Sequence, residues 1–351
     1  MIKLEKLPHT KLKIDVYSDI GFFDFNHINQ YLVKYSPEEI DVTFYYRFYL
    51  RWPSLLEILK KIFLLKKSKK HVTNNIHDFK IKKVFNLPPL PKFFSFINFL
   101  LYRIQITSYA DTAITFVSNP NLISYLERKY LKIFYYCLHD LTQQNVNKKV
   151  LLAEENLFKL SNKIFCDNYD VSKRIKNFND NVKIIDPPIP DEFFNLSKKE
   201  NYRYDFVYFG SFHKDIDYDF INKLSIKYSI FIISNVNPFL NNENIYFHDV
   251  IYEARELAKK VNYAKYILLP YLESEFMKTI TPAKAFQVKS FDKMVLCSNK
   301  RLSTEYGFSF SNSENCLNFN FNNLRPMLFN IKNKKASIIV ALIFQYINES
   351  K

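Results

Sequence analysis

Glycine is the residue that most constrains this chain, because only three of its 351 residues are glycine. Average usage is about 7%, so the chain keeps glycine where few other residues fit. Gly21 and Gly210 each follow a β-prone segment and precede a helical pattern. A tight strand-to-helix turn favours glycine because the backbone passes close to other backbone or to a ligand. These two turns predict two α/β domains, and Gly307 is expected in a loop after the last strand.

Strand and helix patterns alternate with short connections in both halves of the chain, which predicts parallel, doubly wound sheets. Strands are predicted at 13–17, 41–46, 113–118, 132–138, 163–166, 206–209, 230–234, 245–247, 266–269 and 293–297. Helices are predicted at 26–34, 119–130, 150–160, 218–227, 252–261, 282–288 and 336–347. Three prolines between Asp186 and Pro190 stop regular structure and mark a boundary. The predicted domains are 1–187 and 188–333, and the helix in 334–351 is expected to cross back to the first.

The net charge of +15 is concentrated in one block, since residues 51–100 contain 11 Lys or Arg and 2 Asp or Glu. Within this block, 53–70 has the pattern of a basic amphipathic helix, which is typical of a surface that meets anionic lipid. The expected membrane-facing residues are Trp52, Lys60, Lys61, Lys66 and Lys67. A core-packed helix with a solvated lysine face is the ordinary alternative. Nucleic-acid binding is a third, although no nucleic-acid signature accompanies the charge.

The four cysteines are widely spaced and form no metal-ligand pattern, so we expect buried free thiols in a reducing cytosol. Residues 1–10 lack the apolar segment of a secretory signal, and no apolar run reaches the length of a spanning helix. No metal or other cofactor is expected. The predicted location is the cytoplasm, with peripheral contact at the inner face of the cell membrane.

The segment 281–287 carries the most chemical information. A helix that opens at Pro282 points free backbone N–H groups and its positive dipole end at whatever lies before it, and a diphosphate suits that position. Lys284 can add a point charge to the same anion, and Gln287 lies one turn later on the same face. Ligands of open α/β sheets bind beyond the carboxyl ends of the strands, which adds Gly210 and Tyr271 to the candidates.

These pieces resemble the GT-B glycosyltransferases. That family has a strand ending in Pro-Tyr or Pro-Phe, then a Ser/Thr-Pro-x-Lys-x-x-Glu helix start, then a Gly-Lys-Pro-Val-Val strand. The matching segments here are Pro270-Tyr271, Thr281-Pro-Ala-Lys-Ala-Phe-Gln287 and Asp292-Lys-Met-Val295. Phe134-Tyr-Tyr-Cys-Leu-His-Asp140 resembles the strand with an acidic end found in polysaccharide-assembling members. The Lys-x-x-Gln form, without Glu, is similar to the inverting glucuronosyltransferase of xanthan assembly.

The resemblance implies two Rossmann-like domains that face a central cleft. It implies an enzyme of bacterial surface-polysaccharide synthesis that moves a sugar, without metal, from a UDP-linked donor to a lipid-linked saccharide. The implied donor-binding residues are Gly210, Ser211, Tyr271, Thr281, Pro282, Lys284 and Gln287. Asp140 is the implied base of an inverting transfer, and Asp24, His27 and His139 are weaker acceptor-side candidates. A sugar-nucleotide epimerase of the same architecture and a basic nucleic-acid-binding protein stay open as alternatives.

Overall fold

The computed structural model describes residues 11–22, 27–46, 80–87, 92–144, 146–194, 201–239, 242–278, 280–319 and 331–349. The chain divides into two compact units. The first comprises Met1–Ile184 and Val340–Lys351, and the second comprises Ile185–Ile339.

The first unit is built on a parallel sheet of seven strands. They are β1 (Leu12–Ser18), β2 (Ile40–Tyr46), β3 (Lys80–Lys83), β4 (Thr112–Thr115), β5 (Lys132–Cys137), β6 (Lys163–Cys166) and β7 (Val182–Ile184). Their order across the sheet is β3-β2-β1-β4-β5-β6-β7. In the register, Asp15 of β1 lies opposite Thr43 of β2 and Ala113 of β4.

The second unit has a parallel sheet of six strands. They are β8 (Tyr204–Phe209), β9 (Ile230–Ser234), β10 (Ile245–Asp249), β11 (Ala264–Leu269), β12 (Val295–Cys297) and β13 (Ser309–Phe310). Their order is β10-β9-β8-β11-β12-β13. Both sheets therefore have the doubly wound order 3-2-1-4-5-6, the first with one strand added at its edge. The strands β5 and β9 are apolar and buried along almost their whole length, and β4 is fully buried, as parallel strands covered on both faces are.

Several helices begin where polar side chains cap them. Asn119, Asn147, Asn168 and Asn299 each accept a hydrogen bond from a backbone N–H of the first turn, which satisfies a donor that lacks a helical partner. The helices of the first unit are α1 (Ile28–Lys34), α2 (Lys92–Gln105), α3 (Pro120–Lys129), α4 (Lys148–Leu160) and α5 (Tyr169–Lys176). Those of the second are α6 (Tyr218–Ser225), α7 (Ala254–Val261), α8 (Glu275–Lys278), α9 (Ala283–Gln287) and α10 (Lys300–Tyr306). The last helix, α11 (Ala336–Glu349), contributes residues to both units.

The predicted fold class is confirmed in its two doubly wound sheets, and each predicted strand is present to within a few residues. The sequence patterns missed β3, α2, α5, β7, α8, α10 and β13. The expectation for Gly307 is wrong, because a strand follows it: Gly307 ends α10 in the left-handed conformation, with φ of 71°. The predicted basic helix at 53–70 lies outside the described residues. All four cysteines are buried and free, as expected.

Candidate functional site

The second sheet has a point where the chain reverses the direction in which it adds strands. β8 and β11 are neighbours there, while the strands that follow them lie on opposite sides. In doubly wound sheets the carboxyl ends of such a pair border a crevice in which ligands bind. Gly210 follows β8 directly, and Pro270 and Tyr271 follow β11. The structure thus brings two predicted strand ends to one edge.

Lys284 lies directly against Gly210. A Cβ atom placed on Gly210 would come within 1.9 Å of the Lys284 Nζ and 2.4 Å of its Cε. Gly210 also has φ of 141°, a conformation that residues with a side chain rarely adopt. The predicted need for glycine at this turn therefore has two physical causes. Gly21, by contrast, does not have a positive φ.

The Lys284 ammonium has no counter-ion in the described part of the chain. Its Nζ lies 5.9 Å from the centre of the Tyr208 ring and 5.8 Å from that of the Phe209 ring. Burial lowers the pKa of Lys284 to about 8, and no nearby carboxylate offsets this. A cation taken partly out of water without an anion is costly, so this position favours binding of an anionic ligand.

His213 is a neighbour of this lysine that the sequence analysis missed. Burial lowers the pKa of His213, the positive charge of Lys284 lowers it further, and Asp215 opposes both. The His213 ring stacks at 6.4 Å on that of Tyr271, which is buried. Ile216 pairs with Tyr271, so the loop after β8 is tied to the one after β11. The strand-end rule that selected Gly210 would have found His213 had it been extended three residues.

The other donor-side candidates lie on the same loops, but no described contact joins them to Lys284. Ser211 is exposed, and its carbonyl accepts a hydrogen bond of 2.8 Å from the Tyr208 hydroxyl. Thr281 hydrogen-bonds Tyr306. Pro282 occupies the position before α9, and Gln287 is half-buried at its end.

In the first unit, Asp140 stands just beyond the carboxyl end of β5. Its Oδ1 atom accepts hydrogen bonds from the Thr142 backbone N–H at 3.0 Å and the Thr142 hydroxyl at 2.7 Å. The same oxygen lies 3.0 Å from Nη1 of Arg174 on α5. Oδ2 has no hydrogen bond within the described residues. Asp140 is thus fixed through one oxygen, as the cap of a 3₁₀ turn (Leu141–Gln143), and its role as a base stays a prediction.

Arg174 also holds a second carboxylate that the sequence did not reveal. Its Nη2 atom lies 2.7 Å from Oε2 of Glu154, a fully buried residue on α4. The other oxygen of Glu154 accepts a hydrogen bond of 2.9 Å from the Tyr135 hydroxyl. Burial raises the pKa of Glu154, while Arg174 and Tyr135 oppose the shift. The network spans three elements, so nothing in local spacing points to it.

The remaining candidates are dispersed. His139 is exposed beside Asp140, and His27 precedes α1, where its backbone N–H donates to Gln30 Oε1 at 2.9 Å. Asp24 and the five membrane-facing candidates, Trp52, Lys60, Lys61, Lys66 and Lys67, lie outside the described residues. None of the described helices combines the length and apolar character needed to cross a bilayer.

Comparisons with known proteins place this fold among GT-B-like structures. No protein-family model matches the chain, and no curated protein matches its sequence. Among solved structures, HepE of Anabaena in complex with UDP and glucose is similar over 97% of this chain and 99% of its own, with a TM-score of 0.60 and 11% identity. Staphylococcus aureus MnaA with UDP covers 96% of each chain, with a TM-score of 0.57 and 10% identity.

A third solved structure has a similar fold. The UDP-GlcNAc 2-epimerase of Methanocaldococcus jannaschii matches 95% of this chain and 100% of its own, with a TM-score of 0.53 and 10% identity. At such low identities the likeness establishes the fold, which is GT-B-like with two Rossmann-like units. Function has to be argued from the site.

Proposed function

We propose that the chain is a glycosyltransferase that uses a UDP-linked sugar and transfers it to a lipid-linked saccharide in bacterial surface-polysaccharide synthesis. The observation that carries the proposal is the Lys284 ammonium, held against Gly210 at the strand reversal without a counter-ion. Two of the solved structures with this fold were determined with UDP. A diphosphate at Lys284 would supply the missing negative charge.

The donor side would use the loops around Lys284. Lys284 would neutralise the nucleotide diphosphate as it leaves, and Gly210 would let the phosphates approach the backbone. Tyr271, Ser211, Thr281, Pro282 and Gln287 would complete the donor site. This chemistry needs positive charge and dipoles on the leaving group, which we propose these residues would supply without a metal ion.

The acceptor side would use Asp140 as a general base. In an inverting transfer the acceptor hydroxyl gives its proton to the carboxylate as its oxygen bonds to the anomeric carbon, and the bond from that carbon to the nucleotide diphosphate breaks. Support comes from the hydrogen bonds to Asp140, which all reach Oδ1 and leave Oδ2 for the acceptor. Arg174 would then act as a positioning residue.

A lipid-linked acceptor is supported by the surface of α2. Phe96, Leu100 and Ile104 are exposed at spacings of four residues, and the exposed Phe85 lies beside the end of this helix, where Gln105 bonds its backbone. Residues 80–110 contain five Lys or Arg and no Asp or Glu. An apolar stripe within a cationic surface suits the interface of an anionic membrane.

The donor proposal is tested by measuring UDP affinity calorimetrically. Lys284→Ala should weaken binding about 10- to 100-fold, because a charge-assisted contact contributes about 1.5–3 kcal/mol. Lys293→Ala is the matched control, since burial also lowers the pKa of Lys293 to about 8 but its ammonium bonds the Ala264 carbonyl at the amino end of β11. Equal weakening by both substitutions would remove Lys284 from the site.

The second candidate function is a sugar-nucleotide epimerase, which the similarity to UDP-GlcNAc 2-epimerases favours. Incubation with a UDP-sugar alone separates the two. A transferase should release UDP only when a lipid-linked saccharide is added. Formation of epimerised product without an acceptor would contradict the transferase proposal. Asp140→Asn should abolish transfer and leave UDP affinity unchanged.

The membrane contact is tested by sedimentation with vesicles. Leu100→Glu with Ile104→Glu should reduce binding to phosphatidylglycerol vesicles. Leu131→Glu, at a separate exposed position of the same unit, should leave it unchanged. Binding that is unaffected by the double substitution would exclude α2 as the contact surface.

A further inference from the structure

A cavity of about 240 Å³ opens on one face of the first sheet, where residues of β2 and β3 line it together with Lys13 of β1 and the segment 107–109 before β4. It lies away from the carboxyl edge that carries Asp140, and the proposed function does not use it. Its strand residues share one face of the sheet, because Lys13 lies opposite Asp41, Thr43 opposite Lys80, and Tyr45 opposite Lys82. The face is unusually polar for a sheet packed against helices.

The charges around this cavity favour an anion. Asp41 is the one carboxylate among its described lining residues, and Lys80 already bonds it at 2.6 Å. Lys13 and Lys82 form no ion pair with any described carboxylate. Lys82 donates to the Thr107 hydroxyl at 2.9 Å. Two ammonium groups are therefore in excess around a concave surface, which concentrates positive potential there.

A buried hydroxyl gives an independent indication. Tyr45 lines the cavity and is fully buried, and its hydroxyl has no hydrogen-bond partner of normal geometry in the described part of the chain. The Ser108 backbone lies near it. The ring is held in place by stacking at 5.3 Å on Tyr17. An unpaired buried hydroxyl costs about 1–3 kcal/mol, so a ligand oxygen that reached this hydroxyl from the cavity would be stabilising.

We propose that this cavity is a second ligand site, which takes a small phosphate-bearing anion. Lys82 and Lys13 would neutralise the phosphate, while the hydroxyls of Tyr45 and Thr43 would donate to its oxygens. The volume is below the ~300–1,000 Å³ of sites for drug-sized ligands, so a whole nucleotide sugar is too large. A free phosphorylated metabolite and a phospholipid headgroup present the same group.

The test measures phosphate binding by calorimetry in protein that carries Lys284→Ala, so that the proposed donor site does not contribute. Inorganic phosphate should bind, Lys82→Gln should weaken it about tenfold, and Tyr45→Phe about fivefold with an unchanged or higher melting temperature. Lys83→Gln is the matched control, because Lys83 is the next residue of β3 and faces the other side of the sheet.

Two further probes identify the source of the phosphate. Glucose 1-phosphate represents free metabolites, and monomeric dihexanoyl phosphatidate represents lipid headgroups. If a probe competes with inorganic phosphate, and this competition is lost in Lys82→Gln, the result supports the site. The probe that competes then identifies the source of the phosphate group. Absence of phosphate binding, or equal weakening by Lys83→Gln, overturns the proposal and leaves the donor site at Lys284 unaffected.

Discussion

In the first unit, Arg174 lies between two carboxylates, and the fully buried Asp15 lies 3.6 Å from Lys129. In the second unit, burial lowers the pKa of both Lys284 and Lys293 to about 8, and neither forms an ion pair with a described carboxylate. These buried charges are therefore paired in the first unit and unpaired in the second, although the two sheets share the strand order 3-2-1-4-5-6.

This difference helps to separate the two buried lysines of the second unit, because one has a structural role and the other is a candidate for ligand binding. Lys293 donates to the Ala264 carbonyl and lies 4.4 Å from the centre of the Tyr202 ring, so the protein itself solvates its ammonium. Lys284 has no such acceptor among the described residues, and it stands at the carboxyl edge of its sheet. The buried charges named in the first unit are paired, whereas an unpaired ammonium at a strand reversal marks a candidate site in the second.

The largest expected effect comes from breaking the charge network of the first unit. Arg174→Met should lower the free energy of unfolding by about 3–5 kcal/mol, because it leaves Glu154 buried without its partner. Urea unfolding followed by circular dichroism measures the loss. Combining Arg174→Met with Glu154→Gln should recover much of it, since the neutral amide still accepts from Tyr135. A double variant as unstable as the single one would show that packing of Arg174, not charge, is what matters.

The second-largest effect is expected from Gly210→Ala, in the second unit. The left-handed φ should cost about 1–2 kcal/mol of stability, and the new Cβ should displace the Lys284 ammonium. UDP affinity should fall about as far as in Lys284→Ala. Because both substitutions remove the same contact, the double variant should bind UDP no more weakly than either single one. Additive losses in that cycle would mean that Gly210 and Lys284 act separately.

A pH series sharpens the contrast between paired and unpaired charge. The pKa of Lys284 lies near 8 rather than 10.5 because burial disfavours the ammonium, so the side chain loses its proton as the pH rises through 8. UDP affinity should then fall by up to about tenfold per pH unit. The free energy of unfolding should instead rise between pH 8 and 10.5, because the unfolded chain keeps a proton on Lys284 that the folded chain has released. Calorimetry from pH 7 to 9.5 should give a flat profile for Lys284→Ala.

The sequence predicted the strands because apolar, β-prone runs and glycine turns are local signals. It also selected Gly210 and Lys284 as candidates, since strand ends and a helix start are visible in the chain, and the structure brings these two residues together. It did not reveal Arg174, Glu154 or the face of the sheet around Tyr45. Those sites depend on which strands become neighbours and on which face each side chain points to.

Asp292 gives the smallest effect and tests what holds the structural lysine beside it. It is the one described non-glycine residue with a positive φ, at 47°, in the place where the GT-B resemblance has glycine. Asp292→Gly should be about 1 kcal/mol more stable than Asp292→Ala, because alanine has to adopt the left-handed conformation. Lys223, half-buried in α6, is the control, since the variant with alanine should be more stable there than the variant with glycine by a similar amount.

The UDP affinity of the Asp292 variants shows whether the turn at Asp292 contributes to nucleotide binding. If Lys293 is structural, both Asp292 variants should change the urea midpoint and leave the dissociation constant of UDP as it is. If Asp292→Ala weakened UDP binding as Lys284→Ala does, the two buried lysines would belong to one site, and the contrast between them would fail. Asp292→Gly separates strain from the loss of the side chain, because it removes the same carboxylate while relaxing the backbone.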